Sequence, residues 1–199
     1  MKWIHLALLG GFLLFVFTAG LLRSWRVWRL TGVNPLRLGS SQSPHDYIGR
    51  WFLRVILLLF GLLVASVATS APIGLLGPLP ALDRFGVKLA GLVAIGVALV
   101  WTLVAQSQMG ASWRIGIDRD HPTPLVTHGL FRRFRNPIFL GMLVALHGLT
   151  VALASVASLA LLVFGFVLLQ IQVRLEEEHL LGQHGERYRQ YLAGTRRWV

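Results

Sequence analysis

The run from Pro137 to Val173 constrains this chain more than any other feature. It holds about 37 residues, almost all apolar. As one straight helix it would reach roughly 55 Å at ~1.5 Å per residue, against a bilayer core of ~30 Å. Such a block must kink strongly or double back. Three shorter apolar blocks precede it: Trp3–Leu22, Trp51–Ser70 and Phe85–Met109. Leu6 to Leu22 carries no charged side chain, and soluble cores do not run that far without a polar position. The first block reads as a retained membrane helix rather than a cleaved leader. No small-x-small site precedes Leu21, and Arg23, Arg26 and Arg29 follow as a stop.

Arginine placement decides between kink and hairpin. The linker after the first block carries Arg23, Arg26, Arg29, Arg37, Arg50 and Arg54. The segment before Pro137 carries Arg114, Arg119, Arg132, Arg133 and Arg135, and the tail carries Arg174, Arg187, Arg189, Arg196 and Arg197. The 71–84 connector has only Arg84. Positive residues mark the cytoplasmic side of membrane proteins. The linker, the 110–136 segment and the tail are therefore expected together in the cytoplasm, with the N-terminus outside. Pro137–Val173 must then cross an even number of times, turning among the small residues of 152–158. The expected fold is all-α: a polytopic membrane protein of about five transmembrane helices, the last two a hairpin, with a helical cytoplasmic tail. Residues 1–199 form a single membrane-embedded domain.

The formal net charge of +11 would point to nucleic acid in a soluble chain, but these arginines flank apolar spans and alternate with no stacking face. No nucleic acid partner is expected; the bilayer is. Cysteine is absent, which removes disulfides, thiolate metal sites and thiol nucleophiles. The seven histidines show no metal-ligand spacing, so no metal is expected. His5 and His147, inside apolar runs, are expected to bond a neighbouring helix. Gly-rich phosphate loops and nucleophile elbows are missing. The Pro72, Gly74, Gly77, Pro78 and Pro80 connector reads as a rigid turn. Thr31–Ser43 reads as an irregular linker beside interfacial Trp25, Trp28 and Trp51.

Chemistry is concentrated in two places, Gln106 to Asn136 and Gln170 to Tyr191. The hairpin brings them to one face. Three of the eight acidic residues are Glu176, Glu177 and Glu178. At a helix end they would oppose the macrodipole, so either the helix continues past them or a cation balances them. Asn136 and Pro137 form a good helix start, as N-cap and first helical residue. A helix start also offers unpaired N–H groups to an anion.

The motifs "PLVTHGLFRRFRNPIFLGM" and, some 35 residues on, "EEEHLLGQHGERYRQYLAGTRRW" together resemble the isoprenylcysteine carboxyl methyltransferase family and its phospholipid methyltransferase relatives. The matching pieces are Leu125–Phe131, Arg135–Gly141, Glu176–Glu177, Gly185, Tyr188 and Tyr191. They cover about the C-terminal half of the chain. The resemblance implies an integral membrane methyltransferase using S-adenosyl-L-methionine and a lipophilic or amphiphilic acceptor with a carboxylate, amine or thiol group. It places Thr123, Pro124, Leu125, Val126, Phe131, Arg135, Asn136, Pro137, Ile138, Phe139, Glu176 and Glu177 around the cofactor. Residues 106–199 would be the cofactor core, and 1–105 would shape the substrate cavity. The family's histidine is Asn136 here, able to hydrogen-bond but not to act as an acid or base. Its substrate-contacting arginine falls on Gln172, with Arg174 nearby, so these two are the substrate-side candidates. No catalytic residue is assigned. Two rival readings are a membrane NADPH-dependent reductase of the sterol type and a non-enzymatic membrane subunit. The topology itself is testable: reporters fused at residues 120 and 195 are expected in the same compartment, and opposite compartments would rule out the hairpin.

Overall fold

The computed structural model describes residues 2–36, 43–68, 77–116, 118 and 121–198. Arg37, Pro72, Gly74 and Arg119 of the sequence reading lie outside them. The described chain is helical throughout, with isolated bridges in place of strands. Helix α1 (Lys2–Phe15) runs through a π-helical stretch, Val16–Leu22, directly into α2 (Arg23–Thr31). Then come α3 (Pro44–Ala68), α4 (Phe85–Met109), α5 (Pro137–Leu153), α6 (Val156–His184) and α7 (Glu186–Gly194).

Four helical segments are long and apolar enough to cross a bilayer: Lys2–Thr31, Pro44–Ala68, Phe85–Ser112 and Val156–His184. The fifth apolar helix, α5, has 17 residues, about 26 Å, slightly short of a ~30 Å core. The chain is a multi-pass membrane protein with four such helices and one shorter partner, rather than five equal spans. Two spans differ from their apolar blocks. The first helix continues to Thr31 because Arg23 to Thr31 is helix-compatible and ends only at Gly32, in the left-handed region (φ 70°). The second begins at Pro44, a favoured first helical residue, seven positions before its apolar block.

The long block does double back, at Ala154 and Ser155. Ala154 ends α5 in the left-handed conformation (φ 49°), and Ser155 starts α6 by accepting from the Ser158 amide at 3.2 Å. Thr150 Oγ1 donates to the Ser158 carbonyl at 3.2 Å, while at the other end Asn136 meets Glu177. Those two pairings make α5 and α6 antiparallel. The tip is fastened by the 77–79 segment: Leu79 N donates to Ala154 O, and Val156 N to Gly77 O, both at 2.7 Å.

Close packing of α4 on α5 depends on glycine. A Cβ on Gly91 would lie 2.5 Å from the Gly148 carbonyl oxygen, and one on Gly148 2.6 Å from that of Gly91. Between helices in lipid, attraction comes from such close backbone approach rather than from excluding water. The surrounding core joins Ile4 and Leu8 of α1, Leu59, Leu62 and Leu63 of α3, Ile95 of α4, Leu149 and Leu153 of α5 and Leu168 of α6. His147, expected to bond a neighbouring helix, instead faces the carbonyl of Leu143 in its own helix at 2.8 Å. A back-bond one turn away satisfies the imidazole without a partner helix.

At one end of the bundle α1 and α4 finish and α5 begins. There Arg23 Nη2 donates to the carbonyls of Gln106 (2.7 Å) and Gly110 (2.5 Å), closing the C-terminus of α4. Gln106 Nε2 returns a bond to Ala19 O at 2.8 Å, inside the π-helical stretch. Replacing Gly91 or Gly148 by valine is expected to destabilise the bundle by about 1–3 kcal/mol through overpacking, read as a lowered unfolding temperature in detergent.

Candidate active site

The end of the bundle where α5 starts encloses a cavity of about 380 Å³. Its floor and walls come from several elements, the start of α5 and Tyr188 and Tyr191 of α7 among them. The π-helical stretch supplies Val16, Ala19 and Gly20. Helix α3 supplies Gly49, Phe52 and Ile56, and α4 supplies Thr102 and Gln106. The loop before α5 and the end of α6 close the other side.

Among the described residues between Ser112 and Asn136 the only helical stretch is the 3-10 turn Gly129–Arg132, so side chains must hold the rest. Gln183 Nε2 on α6 donates to Thr123 O at 3.0 Å, and Tyr191 Oη on α7 donates to Phe131 O at 2.6 Å. Gln108 Oε1 accepts from Leu130 N at 2.8 Å. Trp101 Nε1 donates to the Pro137 carbonyl at 2.8 Å, setting the height of the α5 start. Buried Asp118 sits between Arg114 (3.7 Å) and His121 (3.2 Å). Burial, opposed by nearby Arg135 and helped by Glu177, pushes the Tyr191 phenol up to about 12, so it remains a donor at any physiological pH.

Behind the α5 start lies a buried carboxylate, Glu177, 8% exposed. Arg197 grips it with two nitrogens, Nη2 to Oε2 at 2.7 Å and Nε to Oε1 at 3.1 Å. Arg135 Nε lies 3.4 Å from Oε1, and Asn136 Nδ2 donates to the same oxygen at 3.3 Å. That arrangement holds the Arg197 guanidinium above its ordinary value, chiefly through its hydrogen bonds to the carboxylate. Asn136 occupies the N-cap position, but its side chain makes no cap bond. Its Nδ2 donates to Glu177, and with the side chain held there its oxygen accepts from no first-turn amide. The first amides of α5 are therefore left without a side-chain cap.

Of the residues expected around a cofactor, Thr123, Pro124, Leu125, Val126, Phe131, Arg135, Asn136, Pro137, Ile138, Phe139 and Glu176 all line this one cavity. Glu177 does not; it faces the arginines. The helix runs on through the three glutamates, so successive side chains point about 100° apart and only one of the pair reaches the cavity. Gln172 lines it as well, one turn before Glu176. Arg174 lies outside, exposed, donating to the carbonyl and side chain of Gln170 at 2.7 and 3.0 Å. Thr102 escaped the sequence reading: a hydroxyl in an apolar span, it is marked only by standing four residues before Gln106. Val16, Ala19 and Gly20 carry no motif at all. Among the described residues, no group of three His, Asp or Glu side chains is placed to hold a metal ion.

Residues 87–187, just over half of the chain, match the family model described as phospholipid methyltransferase. No curated protein matches the chain significantly.

Arg197 stands only two positions before Val199, yet it supplies two nitrogens to Glu177. Arg197→Ala leaves a buried carboxylate short of its main partner and is expected to cost on the order of 2 kcal/mol. Glu177→Gln in the same background is expected to restore much of it. Thermal unfolding of the single and double variants measures both.

Proposed function

The chain belongs to the phospholipid methyltransferase family and is a membrane methyltransferase; on that premise we propose that its donor is S-adenosyl-L-methionine and its acceptor a lipophilic or amphiphilic small molecule. The observation that carries this reading is the convergence of Arg135–Asn136–Pro137 and Glu176 on one cavity, from segments some 40 residues apart.

The donor has a cationic sulfonium, an ammonium, a carboxylate and ribose hydroxyls. The chain offers a chemically matched set. Glu176, lining the cavity, suits the ammonium or the hydroxyls. The uncapped amides at the start of α5 and the guanidinium of Arg135 suit the carboxylate. At about 380 Å³ the cavity is within the usual range for sites of small cofactors. When bound, the donor supplies an electrophilic methyl group. The chain's part is to hold donor and acceptor in line and keep water out, for which orientation alone can contribute several kcal/mol. Leu125, Val126, Phe131, Ile138 and Phe139 provide the apolar lining. Asn136 is neutral over the whole pH range, so it serves as an orienting group and not as a base.

In this reading residues 106–199 form the donor-binding core, in the manner of isoprenylcysteine carboxyl methyltransferases. The helices of residues 1–105 shape the acceptor side. Phe15, Val16, Phe52 and Ile56 on the cavity wall support an acceptor with an apolar body. The arginine bias of the sequence supports a cytoplasmic donor site and C-terminus with the N-terminus outside.

The test is equilibrium binding of S-adenosylhomocysteine to the purified protein. Binding in the micromolar range is expected, weakened about tenfold or more by Glu176→Ala and less by Asn136→Ala, equivalent to ~1.4 kcal/mol or more for the first. Absence of binding at high micromolar concentration would overturn the reading.

A further inference from the structure

The segment matched by the family model begins at residue 87, so the first helix and its extension α2 lie outside it. One arginine of α2 nevertheless reaches the wall of the cavity. Arg26 and Arg29, farther along α2, are exposed, as arginines at a bilayer edge ordinarily are. Arg23 turns inward instead. Its Nη2 donates to Gln106 O at 2.7 Å and to Gly110 O at 2.5 Å, and its Cζ lies 5.8 Å from the centre of the Trp113 ring. Its Nε is buried with no partner. Taking a guanidinium out of water is costly, so an arginine able to snorkel to the interface is held here by what it touches.

What it touches is the start of a stretch of that wall. Gly110 follows α4 with a positive φ of 54° and turns the chain into the segment 110–116. Trp113 is 3% exposed, and Ser112, Trp113, Arg114, Ile115 and Gly116 all line the cavity. The far end of the segment is tied to the chain just beyond α2, where Ile115 N donates to Pro35 O at 2.9 Å. Within the segment, Ser112 Oγ donates to Pro124 O at 3.4 Å, while Gln183 of α6 holds the adjacent Thr123 O at 3.0 Å. Pro124 is thus tied to 110–116, and 110–116 is tied to α2 and Pro35.

We propose that Arg23 is a positioning residue for the methyl donor. By clamping the end of α4 and the Trp113 ring, it sets the segment 110–116 against Pro124 and makes the first helix part of the donor site. Arg23 does not itself line the cavity, so it acts through Trp113 and Ser112. The proposal rests on the donor reading above, which puts Thr123 to Val126 beside the cofactor. A guanidinium suits the task because it is flat: its edge donates to carbonyls while the group lies over an indole. The ammonium of a lysine keeps the donors but has no face to stack. The packing of the helices does not need Arg23. Gln106 Nε2 ties α4 to Ala19 O at 2.8 Å, and Ile4 and Leu8 of α1 share a core with Ile95 of α4.

Amide hydrogen exchange and S-adenosylhomocysteine binding are measured on the purified full chain and on Arg23→Gln, Arg23→Lys and Gly91→Ala. In Arg23→Gln the Ile115 amide is expected to exchange at least about tenfold faster, while amides near Gly91 and Gly148 stay within about twofold. S-adenosylhomocysteine affinity is expected to fall about tenfold in Arg23→Gln and about threefold in Arg23→Lys, which keeps the donors. Gly91→Ala places a Cβ against the Gly148 carbonyl and lowers the unfolding temperature without touching the clamp. Its affinity is expected to stay within about twofold of the parent, a separation that a loss of stability alone does not produce. Unchanged Ile115 exchange or unchanged affinity in Arg23→Gln would overturn the role. So would exchange that quickens equally along α4 and α5, or an equal affinity loss in Gly91→Ala. If Arg23→Gln fails to fold, Arg23→Lys carries the test, and an affinity equal to the parent's overturns the role. If the parent binds no S-adenosylhomocysteine, the donor reading falls and this role with it. If the parent binds and the Arg23 variants match it, only the role falls.

Discussion

Glu177 is the point on which the site's architecture turns. It is a buried carboxylate near the end of the last long helix, and it is neutralised by side chains from two other segments: Arg135 and Asn136 just before α5, and Arg197 in the tail. A lone buried carboxylate would be costly, so wherever Glu177 goes those partners must follow. The tail accordingly runs beside the loop, with Arg135 N donating to Arg196 O at 2.8 Å. The start of α5, the floor of α6 and the C-terminal segment are thereby brought to fixed positions around one cavity. Glu176, its neighbour, is left facing inward because the helix rotates about 100° per residue. One carboxylate holds the wall and the adjacent one lines the chamber.

The gross fold was legible from simple quantities. The length of the Pro137–Val173 block against the bilayer, together with the sides on which arginines lie, is enough to demand a hairpin, and the small residues at 152–158 mark its turn. The convergence of Arg135–Pro137 with the glutamates follows from that hairpin alone. What escaped was register and individual contact. Nothing in "EEE" says which glutamate faces the cavity, since that depends on the rotational setting of α6 against α5, fixed by Gly165, Leu146 and the Ser155–Ser158 cap. The commitment of the Asn136 side chain to Glu177 rather than to its own helix end is likewise a tertiary choice. Local preference favoured the cap, and a buried charge overrode it. Thr102 was invisible for a different reason: one hydroxyl in a membrane span ordinarily back-bonds within its helix, so its type carries no signal without its surroundings.

The bundle also illustrates how a chain in lipid builds a polar chamber. Its helices are held along most of their length by apolar side chains and by the Gly91–Gly148 approach, neither of which tolerates a gap. At one end glutamines, glutamates and arginines enter the packing, and several of them reach across to a different element. Arg23 ties α2 to the end of α4, Gln183 ties α6 to the loop, and Tyr191 ties α7 to Phe131. These long-range ties hold the described parts of the loop between α4 and α5, where regular structure is limited to short 3-10 turns.

The π-helical stretch Val16–Leu22 acts as a phase shifter in the first helix. A wider turn takes up an additional residue compared with ordinary α-helical winding, so everything after it is rotated relative to everything before it. Upstream, Ile4 and Leu8 point into the greasy centre; downstream, Arg23 points to the last carbonyls of α4. Winding this stretch as ordinary α-helix with all its residues kept would swing Arg23 by about 100° around the axis, away from Gln106 and Gly110. The spacing between the apolar half of that helix and its basic half is thus a quantity the chamber depends on, independent of which side chains fill the interval.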